Sequence, residues 1–264
     1  MTFEGDGYLS EESAALIQPS LEGHTKILDM ISVLLGEIRN FCQVQRIDGQ
    51  QTSADKQKIV ALILFSRITE ISEAALLVMR HGMANETNSL LRIFLDAYFI
   101  LGNVCSDEDF VPQFFKSDEA TRLKLMNVAL NRDSDLFREL REYAHRERDK
   151  LSEKIKQEDI QAFQSYTYAA NLGAQDIYDS MYRLTSSSIH TGPRSLEAYT
   201  EEDEEGNIVK VKNHPRLGDI PQLAYTFCTL LVKVYSGITE VFGKHDPEKV
   251  EQLARDLEAC VENA

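Results

Sequence analysis

The chain has 264 residues, 43% of them apolar, and a formal net charge of −15. That length and apolar share allow a sizeable core in one large or two small domains. The acid excess excludes a broad, sequence-blind grip on nucleic acid, which needs surplus Lys and Arg, but it leaves room for a local basic pocket or a basic partner protein.

Helical periodicity runs along most of the chain. Ile27, Leu28, Ile31, Leu34, Leu35, Ile38 and Phe41 recur at three and four, which predicts an amphipathic helix from about Leu21 to Val44, with Pro19 at its start. A polar turn around Gly49 follows. A second helix is expected from about Ala54 to Arg80, built on Ile59, Leu62, Ile63, Ile68, Ile71 and Leu76, and His81-Gly82 ends or kinks it. The next helix, about Asn85 to Val104, is apolar nearly all round and belongs in the centre of a bundle. Its apolar stretch from Leu90 to Cys105 is short for a bilayer and carries Arg92 and Asp96, so no membrane span is expected.

Phe110, Phe114 and Phe115 form an aromatic anchor near Pro112, and Ser117-Asp118-Glu119 has the pattern of a helix start. From Arg132 to Gln157 both charge signs are dense, as in a solvated, salt-bridged helical arm. A helix is expected from Ala174 to Ile189, stopped by Gly192-Pro193. Leu196 to Lys212 breaks the pattern and predicts a small β-hairpin with an acidic tip, turning at Gly206-Asn207. Pro221 opens a long amphipathic helix, and Asp246-Pro247-Glu248 starts a last one. The fold class is therefore all-α: one helical bundle with a hairpin insertion.

The four cysteines, Cys42, Cys105, Cys228 and Cys260, are far apart among apolar residues. They read as small buried hydrophobes in a reducing cytoplasm, and the acidic N-terminus lacks the apolar core of an export signal. Phosphate-binding glycine loops, a G-x-S-x-G nucleophile turn and zinc spacings are missing from the sequence, so no cofactor or metal is expected. Glu142-Tyr-Ala-His145 matches one half of a carboxylate-bridged di-metal site, but the second Glu-x-x-His is absent. His24, His81, His214 and His245 stand isolated.

Two constellations remain. Arg92 and Asp96 lie four apart on the most apolar helix, so they share a face and can pair. They fit a buried ion pair that fixes helix register, or the polar floor of a pocket. On the Ala174–Ile189 helix, seven residues separate Arg183 from His190, close to two turns at ~3.6 residues each. Ser186 and Ser187 fall on the same stripe. A guanidinium could hold a phosphate bidentately, and an imidazole at the negative end of a helix suits a general acid. The same residues equally fit a helix cap and a core hydrogen-bond network.

Three blocks resemble a widespread bacterial family of helical proteins known only as a domain of unknown function. They are Gly82 to Tyr98 with its Arg92…Asp96 pair, Ala170-Asn-Leu-Gly173 leading to Tyr178, Tyr182, Ser186 and His190, and Ser195-Leu-Glu-Ala-Tyr199. The Arg183-x6-His190 spacing also resembles the signature of HEPN proteins, helical bundles of which many are metal-independent endoribonucleases in bacterial toxin–antitoxin and phage-defence systems. That resemblance implies RNA as substrate, Arg183 on the scissile phosphate, His190 in acid–base transfer, and a homodimer. The departure is Leu184, where those proteins commonly carry a polar residue. A non-catalytic interaction or sensing module of the same fold, binding a basic partner, is the other expectation. A small-molecule enzyme with its pocket between the Arg92 and His190 helices is the third.

Overall fold

The computed structural model describes residues 7–47, 52–190, 196–212 and 215–262, without the side chains of Glu12, Ser187, Ala198 and Glu262. Gly49, Gly192, Pro193, Ser195 and His214 lie outside the described residues, as does the Ser187 side chain.

The architecture is an all-α bundle with a two-stranded antiparallel hairpin. The helix expected from about Leu21 starts at Thr25, and a further helix that spacing did not pick out precedes it. α1 (Glu11–Leu21) is capped by Ser10, whose hydroxyl accepts from the Ser13 amide, and it contains Pro19 in its interior. Burial of Ile17 and Leu21 holds it despite the lost backbone bond. A 3₁₀ turn (Glu22–His24) then leads into α2 (Thr25–Gln43), which buries Ile27, Leu28, Ile31, Leu34, Leu35 and Ile38.

α3 (Ser53–Arg80) starts at a reciprocal cap: Thr52 accepts from the Asp55 amide, and the Asp55 carboxylate accepts from the Thr52 amide. Its buried face is Val60, Ala61, Phe65, Ile68, Ile71, Ala75, Leu76 and Met79; Ile59 and Ile63, expected in the core, are exposed. The helix is apolar on more than one face, so spacing alone did not select the inner one.

Gly82 makes the corner into α4 (Ala84–Ser106). Its φ is +68°, and a Cβ there would meet Pro215 Cβ at 2.6 Å. Its carbonyl accepts from the Arg216 amide at 3.0 Å, tying the chain after the hairpin to this corner. α4 is central and buries Leu91, Phe94, Leu95, Phe99 and Leu101. At 23 residues it is longer than its most apolar stretch and is long and apolar enough to cross a bilayer by length and composition. In this fold it packs on α3 and on α9 (Ile220–Val241), where Phe94 meets Phe227 edge to face at 5.2 Å.

α5 (Phe110–Asn131) begins seven residues before the expected Ser117 start, because Pro112 falls in the first turn, where a missing amide is harmless. Ser117 is interior and donates to the Phe114 carbonyl at 2.6 Å. α6 (Arg138–Gln157) packs on α5 and carries surface ion pairs, with Ala144 buried between the two helices.

Next come α7 (Ser165–Asn171) and α8, residues 175–189. α8 begins as Gln175–Ile177, widens to a π-helical turn over Tyr178–Tyr182 and finishes as Arg183–Ile189. β1 (Thr200–Glu202) pairs with β2 (Ile208–Val211), and the Asp203 carboxylate closes the tip by accepting from the Glu205 and Asn207 amides. α9 and α10 (Pro247–Glu262) complete the bundle, with Asp246 accepting from the Lys249 amide at the start of α10.

All four cysteines are free. Burial pushes the Cys42 and Cys105 thiols up to about 12 and Cys228 further, so these sulfurs stay protonated and act as packing groups.

Candidate functional site

α4 presents Arg92 and Asp96 one turn apart, joined by an ion pair between Arg92 Nη1 and Asp96 Oδ2. The pair reaches beyond its own helix. The second guanidinium nitrogen donates to the Tyr182 hydroxyl on α8. Tyr182 donates to Ser165 Oγ at 2.6 Å, and Ser165 donates to Asp96 Oδ1 at 2.6 Å. Four side chains from three helices thus close a ring. Arg92 Nε also donates to Ser186 Oγ at 3.2 Å, and Ser186 donates to the Tyr182 carbonyl at 2.7 Å.

The Arg92 side chain is 16% exposed and that of Asp96 34%. A charge this deep needs its lone pairs and protons used, and the ring uses them. Burial pushes the Tyr182 phenol up to about 12, so it stays protonated and can donate. The Arg92–Ser186 bond and a bond from Ser89 Oγ to the Ser188 carbonyl at 3.1 Å span the interval between α4 and α8. That is the interval in which a small-molecule pocket was one expectation.

The expected stripe on α8 divides. Ser186 turns inward to Arg92, whereas Arg183 and His190 are exposed. Three residues fall short of a full helical turn, so Ser186 sits round the axis from Arg183, while seven residues return His190 to nearly the same side. Arg183 Nε pairs with Asp179 Oδ1 at 2.9 Å, with the two side chains 66% and 56% exposed. His190 is the residue that ends the helix, its amide bonded to the Ser186 carbonyl at 3.3 Å.

Just before Arg183 lies the π-helical turn, a feature frequent at functional sites. Tyr178 and Tyr182 stack there at 4.5 Å and 21°. Phe99 of α4 lies 5.9 Å from the Tyr182 ring, and Tyr166 of α7 meets Tyr178 edge to face at 5.3 Å. The Arg183 guanidinium stands 5.7 Å from the Tyr178 ring centre.

Sequence reasoning named Arg92, Asp96, Tyr178, Tyr182, Ser186, Arg183 and His190, and it missed Ser165 and Tyr166. Ser165 is about seventy positions from Asp96 and has no spacing that ties it to either partner; only the packing of α7 on α4 reveals it. Glu142 and His145 are exposed on α6, and among the described residues no three His, Cys, Asp or Glu side chains group as metal ligands.

No curated protein and no solved structure matches this chain. Residues 58–208 match a family of unknown function, DUF5677. That match spans more than half of the chain and contains α4, the Arg92 ring and the whole of α8; the chain belongs to this family.

Proposed function

We propose that the chain is a HEPN-like, metal-independent endoribonuclease of a bacterial toxin–antitoxin or phage-defence system, acting in the cytoplasm as a homodimer. The observation that carries this reading is the exposure of Arg183 and His190 two turns apart, at the end of a helix anchored from behind by Arg92. A phosphodiester reaching α8 would meet both groups without a buried charge having to move.

In this reading Arg183 leaves Asp179 for the scissile phosphate and stabilises the charge that develops on it; an exposed pair is weak enough to be exchanged. The nucleophile is the RNA's own 2′-hydroxyl. Its oxygen bonds to phosphorus while the bond to the 5′-oxygen breaks. His190, as imidazolium, gives its proton to the departing oxygen, and the 2′-hydroxyl proton passes to solvent or to the His190 of a second copy. Leu184 and Ile189, 66% and 41% exposed beside the two groups, offer the apolar surface on which that copy would sit.

The chemistry is tested by its products. RNA should end in a 2′,3′-cyclic phosphate, and single-stranded DNA, lacking the nucleophile, should remain intact. Products ending in a 3′-hydroxyl would contradict the scheme.

The alternative is a non-catalytic interaction or sensing module for a basic partner protein. The observation that favours it is the set of exposed acids along β1 and the hairpin tip, Glu201, Glu202, Glu204 and Glu205. Binding of a basic partner that is lost on neutralising this tip, in a protein that leaves RNA intact, would support it.

A further inference from the structure

We infer that Tyr166 is a stacking platform for an unpaired RNA base whose neighbouring phosphate is held by Arg183, so that the site takes single-stranded RNA. The inference rests on the ribonuclease reading and names its substrate class.

The platform is the end of an aromatic ladder. Phe99, Tyr182 and Tyr178 step outward from the core of α4 to the surface of α8, and Tyr166 is the outermost rung. The inner rings are covered by one another and by the Arg92 ring. Tyr166 is 50% exposed, an amphipathic ring held in place from behind by its edge-to-face contact with Tyr178. Tyr182 is fixed by the Ser165 hydroxyl, the residue directly before Tyr166, so the platform and the ring are built on the same turn of α7. A fixed, half-open aromatic ring presents a π-face at little entropic cost, which is what base stacking needs.

The second half is the cation. Arg183 also borders Tyr178, 5.7 Å from its centre, while Tyr166 is 5.3 Å from the same centre. Laid end to end, these distances set the guanidinium and the Tyr166 ring within about 11 Å of each other. A base stacked on Tyr166 thus has the phosphate of its own or the next nucleotide within reach of Arg183. An aromatic face beside a cation at this spacing is the combination that single-strand binders use. In a duplex the bases are stacked inside and cannot reach Tyr166. This also reconciles nucleic-acid binding with a charge of −15: the grip is local and partly apolar rather than a basic surface.

The test uses full-length protein carrying His190→Ala, so that binding is read without cleavage. Fluorescence anisotropy is measured with an unstructured oligouridine, with a blunt RNA duplex of the same length, and with Tyr166→Ala or Tyr166→Phe added. Tyr166→Ala should weaken single-strand binding roughly 5- to 10-fold, the low end of what an aromatic–base stack contributes. Tyr166→Phe, which keeps the ring, should bind like the parent, and the duplex should bind more weakly than the single strand. Melting curves check that both variants fold. Tyr166→Ala binding oligouridine as the parent does, equal binding of duplex, or no RNA binding at all would each overturn the inference. The two readings separate: Tyr166-dependent binding by a protein that never cleaves RNA keeps the platform and sinks the nuclease, and cleavage indifferent to Tyr166 does the reverse.

Discussion

Arg92→Ala is the perturbation that probes the ring most directly. The substitution removes a guanidinium that touches Asp96, Tyr182 and Ser186 and leaves three polar groups without their donor. Breaking a fully buried pair costs about 3–5 kcal/mol, because the surviving charge is uncompensated. Asp96 is one-third exposed and keeps its bond from Ser165, so water and that hydroxyl recover part of the loss. We expect about 3 kcal/mol, which for a chain of this size is a fall in Tm of roughly 6–12 °C. Asp96→Asn, which keeps shape and hydrogen bonding while removing charge, should cost less, about 1–2 kcal/mol. The assay is thermal unfolding followed by circular dichroism at fixed protein concentration. An Arg92→Ala protein that melts with the wild type, yet has lost RNA binding or cleavage, would refute the structural role and assign Arg92 to the site itself.

Three further outcomes follow from the same geometry. Asp179→Asn removes the competitor for Arg183 and should strengthen RNA binding, as read by anisotropy in the cleavage-dead background; weaker binding would mean that Asp179 positions Arg183 instead. Gly82→Ala places a Cβ at φ +68° and against Pro215, combining left-handed strain with a clash, and should cost about 2–4 kcal/mol in denaturant unfolding. Tyr182 holds its proton more tightly folded, at about 12, than the ordinary phenol at 10.0. Its contribution is therefore complete below about pH 10 and fades as pH rises toward 12, so the denaturant midpoint should fall less over that window in Tyr182→Phe than in wild type.

The bundle was legible because its inner faces repeat at three and four. α2 buries Ile27, Leu28, Ile31, Leu34, Leu35 and Ile38 of the residues that spacing picks out and half-buries Phe41. Legibility ended where a helix is apolar on two sides, as in α3, whose Ile59 and Ile63 face solvent while Val60 and Ala61 face the core. It ended again at prolines: Pro19 lies inside α1, and Pro112 sits in the first turn of α5, so punctuation alone misplaced both starts. At the candidate site, pairs on one helix were readable from spacing, as Arg92 with Asp96. Contacts between helices were not. No sequence interval announces that Ser165 joins Tyr182 to Asp96, that Ser186 turns inward to Arg92, or that a π-helical turn stacks Tyr178 on Tyr182.

The central claim is that Arg183 and His190 cut RNA. Purified wild-type protein, His190→Ala and Arg183→Ala should be incubated with mixed cellular RNA, with and without EDTA, and each protein's melting curve recorded. Both side chains are exposed, so both variants should melt within a few degrees of wild type. The account predicts cleavage by wild type that survives the chelator and disappears in each variant. Intact RNA with wild type under every condition, together with a large drop in Tm for His190→Ala, would contradict it and make the end of α8 a structural element.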